Sequence, residues 1–232
     1  MITVEEELMS AVSEGDKERV GQLLLEGVDP NVFPPMTDST PLMEASRGGN
    51  FEIARLLLDN GANPNLANSE NWTPLMAAAN NGHLGTADTL LGRKADPDKQ
   101  DDSGWSALMA AVFKRYNGVA LRILTAGAKP HIQDKNKTNA LLLAIKIHGT
   151  DTVVEALLDH MDPSYLDIQD SYGETALMYA CKKKNLKLVK KILSMGANST
   201  ISNNVNIDHN VCIIIGNIPY RMEIQLLRLQ MS

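Results

Sequence analysis

At 232 residues and 44% hydrophobic side chains, the chain can bury a sizeable core, which excludes global disorder. Only 4% of its residues are aromatic while Leu, Ala and Met abound, so the composition points to helices packed through aliphatic side chains and away from a β-sandwich. A formal net charge of −6 disfavours a dedicated nucleic-acid binder, and two cysteines, Cys181 and Cys212, are too few for a disulfide framework or a four-ligand zinc site.

The N-terminus carries Glu5, Glu6 and Glu7 and no apolar core of a secretory signal, and no run approaches the roughly 18 apolar residues of a membrane span. A cytoplasmic or nuclear location without membrane insertion is expected, with the sequons at Asn71, Asn136 and Asn198 unglycosylated.

Along the chain, one unit returns. Leu8-Met9-Ser10-Ala11, Gly15, Leu23-Leu24 and Gly27-Val28-Asp29-Pro30-Asn31 form a first copy that lacks a Thr-Pro opening and is rich in Glu and Asp, as suits a terminal unit facing water. Thr40-Pro41-Leu42-Met43, Thr73-Pro74-Leu75-Met76, Ser106-Ala107-Leu108-Met109, Asn139-Ala140-Leu141-Leu142 and Thr175-Ala176-Leu177-Met178 then follow at offsets of 33, 33, 33 and 36. In phase with them run Leu57-Leu58, Leu90-Leu91, Ile123-Leu124, Leu157-Leu158 and Ile192-Leu193. Turn signals such as Gly61-Ala62-Asn63-Pro64 and Gly127-Ala128-Lys129-Pro130 run in phase too. Thr, Ser or Asn opens a short helix as its N-cap, Pro at the first helical position gives up an amide without a helical partner, and Gly closes the second helix.

This pattern resembles the ankyrin repeat, whose signature is Thr-Pro-Leu-His-x-Ala, a Gly, a Leu-Leu pair and Gly-Ala-Asp-x-Asn, and the likeness covers residues 4–203. The resemblance implies an all-α solenoid with β-hairpin arms, built of stacked helix-loop-helix repeats. Its spans are 4–36 (the N-terminal cap), 37–68, 69–101, 102–134, 135–169 and 170–203, followed by a non-repeat tail at 204–232. Met43, Met76, Met109 and Met178 stand at the usual His position, which predicts an apolar filler where the family makes a polar contact. The fifth repeat replaces the Gly-Ala turn by His160-Met161-Asp162-Pro163-Ser164-Tyr165 with three extra residues, either a plain insertion or a contact loop. The tail, with its apolar run Val211-Cys212-Ile213-Ile214-Ile215, either packs back over the sixth repeat or stands as an alternative terminus.

No Gly-x-Gly-x-x-Gly, Walker-type, His-Glu-x-x-His or Gly-x-Ser-x-Gly pattern occurs, and the histidines are isolated, so no enzyme activity, cofactor or metal site is expected. Cys181 reads as a small buried hydrophobe, and Asp101-Asp102 and Glu5-Glu6-Glu7 as solvated carboxylates.

The resemblance implies a binding scaffold for a monomer's protein partner, with hairpin tips and first helices lining a concave groove. Trp72 and Trp105 lie 33 residues apart, each before an N-cap, and are expected side by side as partner anchors. Residues 1–60 hold 12 acidic and 4 basic side chains, whereas residues 175–232 hold 2 and 8. The first-helix Gly of the early repeats gives way to Arg115, His148 and Lys184; with Lys114, Lys146, Lys182, Lys183 and Phe113 these predict a basic ridge suited to an acidic or phosphorylated protein segment. Two other readings stay open: a nucleic-acid or phosphorylated-ligand receptor on that ridge, and a targeting segment or truncated variant of a larger protein.

Overall fold

In a computed structural model, residues 2–35, 37–147 and 151–203 are described. The tail beyond Asn203, and His148, lie outside them. The chain forms two compact units, residues 1–135 with 139–160, and residues 136–138 with the segment from 161 on.

The first unit holds five helix pairs: α1 (Val4–Glu14) and α2 (Lys17–Leu25), α3 (Pro41–Gly48) and α4 (Phe51–Asp59), α5 (Pro74–Asn81) and α6 (Leu84–Gly92), α7 (Ala107–Phe113) and α8 (Asn117–Thr125), α9 (Ala140–Lys146) and α10 (Asp151–Asp159). First helices pack on first helices and second on second, in two layers. Leu8, Leu42, Leu75, Leu108 and Leu141 from the first layer, and Leu23, Leu57, Leu90, Ile123 and Leu157 from the second, are fully buried between them. Each such side chain contributes about 1.5–3 kcal/mol relative to exposure.

The caps follow from the repeated opening. Thr40, Thr73, Ser106 and Asn139 each accept the amide three residues on, at 3.2, 3.3, 3.3 and 2.8 Å. Met43, Met76, Met109 and Met178 are all buried, as an apolar filler should be, and two of them also make a polar contact: the Met43 sulfur accepts the Thr40 amide at 3.5 Å and that of Met178 the Thr175 amide at 3.3 Å. A thioether at the third helical position thus does the reciprocal part of a capping box. The first copy also has its opening, three residues earlier than the later pattern places it. Thr3 accepts the Glu6 amide at 3.2 Å and donates its own amide to the Glu6 carboxylate at 2.8 Å, so one of the three glutamates reckoned as solvated is a cap partner.

Asp16 and Asn50 cap α2 and α4, whereas His83 and Tyr116 occupy the same position before α6 and α8 with no side-chain cap bond. Their rings reach back one repeat instead. His83 Nε2 donates to the Arg47 carbonyl at 3.0 Å and its ring covers Gly49, where a Cβ would lie 2.4 Å away; Tyr116 covers Gly82, where a Cβ would lie 2.7 Å away. Both glycines are left-handed, at φ 76° and 79°, and close the preceding first helices.

The hairpin arms are tight turns, with one strand-like bridge between Gln100 and Ser106 among the described residues. Side-chain acceptors hold them. Asn68 Oδ1 accepts the amides of Glu70 (3.1 Å) and Trp72 (2.7 Å), and Asp101 Oδ1 those of Ser103 and Trp105, both at 2.8 Å. Asp101 is therefore a bonded structural carboxylate, which corrects its reading as merely solvated; Asp102 is exposed, as expected, and also accepts from the Asn71 side chain at 2.7 Å. Arms are also stitched to the next one: Asn31, Asn65 and Asp98 accept the amides of Asn63, Asp96 and Lys129 at 2.7, 2.7 and 2.8 Å.

Among its described residues, the second unit has a 3-10 turn, η1 (Pro163–Tyr165), in the inserted segment, with Asp162 accepting the Ser164 amide at 2.9 Å, and the pair α11 (Ala176–Lys182) and α12 (Leu186–Ser194). Gln169 Nε2 donates to the Gly173 carbonyl at 2.6 Å and the Ser202 carbonyl at 3.0 Å, as Gln100 in the first unit does to Gly104 (2.5 Å) and Gln133 (2.9 Å). Cys181, on α11, is buried.

Candidate partner-binding face

Every residue of α7 is buried except its last, Phe113, which is 47% exposed. Trp105 stands just before the Ser106 cap, half-buried, its backbone amide fixed by Asp101. Its ring meets Phe113 edge to face, with centroids 5.2 Å apart and planes at 78°. Such a pair is worth about 0.5–1.5 kcal/mol beyond the area it buries. Trp72 is half-buried at the corresponding place one repeat earlier, where Asn80 replaces Phe113. Hence the two tryptophans do not form a ring pair among the described residues; the aromatic contact of Trp105 lies within its own repeat.

The cations divide by use. Lys114, the exposed C-cap of α7, places Nζ 5.9 Å from the Phe113 centroid. Arg115 takes the left-handed place that Gly49 and Gly82 hold earlier, at φ 63°, and its Nη2 donates to the Ile147 carbonyl at 2.5 Å, at the end of α9. Its charge thus serves the neighbouring helix terminus, where a cation complements the macrodipole. Lys146 is half-buried in the last turn of α9.

In the second unit, Lys182 lies 2.7 Å from Glu174 Oε1 and 5.6 Å from the centre of the Tyr179 ring, while Lys183 is exposed as the C-cap of α11. Glu174 is 4% exposed and also accepts from Asn203 Nδ2 at 2.6 Å. Buried Asp170 accepts the amides of Tyr172 and Glu174 at 2.9 and 3.0 Å through one oxygen and the Tyr179 hydroxyl at 2.6 Å through the other. Nothing in the repeat pattern singled out Glu174 or Tyr179, because their pairing depends on which side chains the arm folds onto.

Burial first, then the bond to Asp170 and the charges of Asp170 and Glu174, push the Tyr179 phenol above its ordinary value of 10.0. The folded state therefore holds this proton more tightly than the unfolded chain. The stability gained is fully present below pH about 10 and is lost as pH rises towards the folded value. Tyr179→Phe is expected to lower the thermal midpoint at pH 8 and to show a shrinking difference from the parent above pH 10; melting curves across pH 8–11 check this.

At the other end of the first unit, a cleft of about 400 Å³ opens between Met9 and Ser13 of α1 and Thr37, Asp38, Glu44 and Arg47 around α3. Its charges are internally engaged: Asp38 accepts from the Ser69 amide (3.1 Å) and hydroxyl (2.5 Å), and Glu44 pairs with Arg47. The i,i+3 spacing of that pair was a signal available in the sequence.

A family model of ankyrin repeats in three copies matches residues 8–101 and 108–203. The chain belongs to the ankyrin-repeat family. Among solved structures, the ankyrin repeat domain of Bcl-3, described as a member of the IkappaB protein family, is similar with a TM-score of 0.77 and 24% identity, over 88% of this chain and 92% of that one. That likeness is one of fold. Among curated proteins, the 2-5A-dependent ribonuclease of Mus musculus is 44% identical over 57 residues, which is 25% of this chain and 8% of that protein. The match thus spans a small fraction of the ribonuclease. Ankyrin repeats are in general protein–protein interaction modules, and among the described residues of this one no helix is long and apolar enough to cross a membrane.

Proposed function

We propose that this ankyrin-repeat chain is a non-catalytic adaptor, monomeric and working in the cytoplasm or nucleus, that holds an acidic segment of a partner protein against its hairpin tips and first helices. The observation that carries this reading is the Trp105–Phe113 pair: an edge-to-face aromatic contact left half in water at the end of an otherwise buried helix, with a lysine ammonium over it. Exposed aromatic area of this kind costs solubility and is concentrated at interface hot spots. Trp72 adds apolar surface one repeat earlier, Lys114 supplies the charge, and Lys146 adds a second cation in the last turn of α9; in the second unit, Lys183 is the exposed C-cap of α11. Arg115 and Lys182 support the fold of their own units more than they serve a partner.

The test is capture of proteins from a native extract on the immobilised chain, beside a Trp72→Ala/Trp105→Ala form of unchanged helicity. A protein retained by the parent and lost by the variant supports the adaptor; identical retention by both removes this face from consideration. A nucleic-acid or phosphorylated ligand held by the basic residues of the later repeats is the second reading, favoured by the exposed Lys114 and Lys183 at the ends of α7 and α11. It requires affinity that falls steeply with salt, in proportion to the phosphates neutralised.

A further inference from the structure

We infer that the Trp105–Phe113–Lys114 shelf selects unphosphorylated segments in which a bulky apolar residue lies one or two positions from an Asp or Glu. This rests on the adaptor reading and narrows the chemistry of its partner. The apolar part of the shelf is the notch where the edge of one ring meets the face of the other, 5.2 Å between centroids, with Phe113 47% exposed. The charged part is Lys114 Nζ, 5.9 Å from the Phe113 centre. With ring centre and ammonium 5.9 Å apart, a side chain seated on the ring and a carboxylate reaching the ammonium belong to nearby positions of one segment. An extended segment advances about 3.3–3.6 Å per residue, so side chains one or two positions apart can reach both.

Carboxylate over phosphate follows from the donors present. A phosphate monoester carries about −1.5 to −2 charge and is matched best by guanidinium forks or clusters of cations. The adjacent guanidinium, Arg115, donates to the Ile147 carbonyl at 2.5 Å and is held there by a left-handed backbone at φ 63°. Lys114 is then a single point charge beside an aromatic face, the complement of one carboxylate.

Selection of random unphosphorylated peptides displayed on phage, against the full immobilised chain, tests this. The enriched peptides are expected to share a Trp, Phe, Leu or Met with Asp or Glu within two positions. Calorimetry on a synthetic consensus peptide should then give at least tenfold weaker binding to Lys114→Glu and severalfold weaker binding to Lys114→Gln. Arg115→Ala should stay within twofold, and phosphoserine in place of the acidic residue should not tighten binding. Helicity by circular dichroism qualifies each variant. A consensus without the neighbouring acid, indifference to both Lys114 variants, a loss on Arg115→Ala equal to that on Lys114→Glu, or tighter binding of the phosphopeptide overturns the inference and leaves the adaptor reading standing. Peptides enriched equally by the parent and by Phe113→Ala, or no enrichment at all, overturn both.

Discussion

Alanine at position 104 is expected to lower the thermal midpoint by about 6–12 °C. Gly104 sits at φ 83°, and a Cβ there would lie 2.8 Å from the Asp134 Cα and 3.0 Å from the Lys135 amide nitrogen. Both atoms are backbone of the next arm, so no side-chain rotation relieves the collision. A left-handed non-glycine residue costs about 1–2 kcal/mol, and overpacking typically about 1–3 kcal/mol more. Their sum of about 3 kcal/mol corresponds, at about 2–4 °C per kcal/mol for a chain of this size, to the stated range. Gly127 provides the control. It has φ 95° and nothing within 4 Å of its added Cβ, so Gly127→Ala should show the conformational part alone, about 1–2 kcal/mol. Equal losses at the two positions would mean that the close approach of the arms carries no energy.

The second large effect concerns binding. Trp105→Ala and Phe113→Ala should each weaken a shelf-binding peptide by about 2 kcal/mol, roughly 30-fold, as expected of aromatic hot spots. The two losses should not add. Each ring is the other's support, and residues in contact show interaction energies of about 0.5–3 kcal/mol in double-mutant cycles. Once one ring is gone, removing the second should cost a few-fold at most. Trp72→Ala, at a site where Asn80 offers no aromatic support, should act independently of either. Full additivity of Trp105 and Phe113 would show that the peptide contacts them separately.

The fold was legible because its determinants recur: Thr40, Thr73, Ser106, Asn139 and Thr175 announce each helix start at nearly fixed spacing, and the leucine pairs announce each partner helix. Less legible was anything that one side chain does for another repeat. That Arg115 would bond to Ile147, or that His83 would lie on Gly49, depends on how neighbouring units stack, which spacing along one chain does not encode. The sulfur bonds of Met43 and Met178 are not legible in the sequence, because a thioether is a weak acceptor whose bond depends on the rotamer that packing selects. For the candidate site, Trp105, Phe113 and Lys114 are identifiable from their residue types, but their contact is not, since positions 105 and 113 lie at opposite ends of α7 and meet only through the rotamers of two long rings. Lys182 likewise reads as one more surface charge until Glu174 is seen buried beside it.

The rings over the glycines also favour certain neighbours. The repeat that begins with α5 carries His83 and keeps its ring in place only behind a unit whose first helix ends in a residue without a Cβ; the repeat of Tyr116 has the same preference for the unit before it. The repeat holding Arg115 no longer meets that preference. A tandem duplication of this repeat would set Tyr116 of the second copy against the Arg115 side chain of the first. The order of these modules is thus favoured by the fit between consecutive units, and a tandem duplication of Arg115's repeat would be eased by a second change, such as Tyr116→Asn in the new copy.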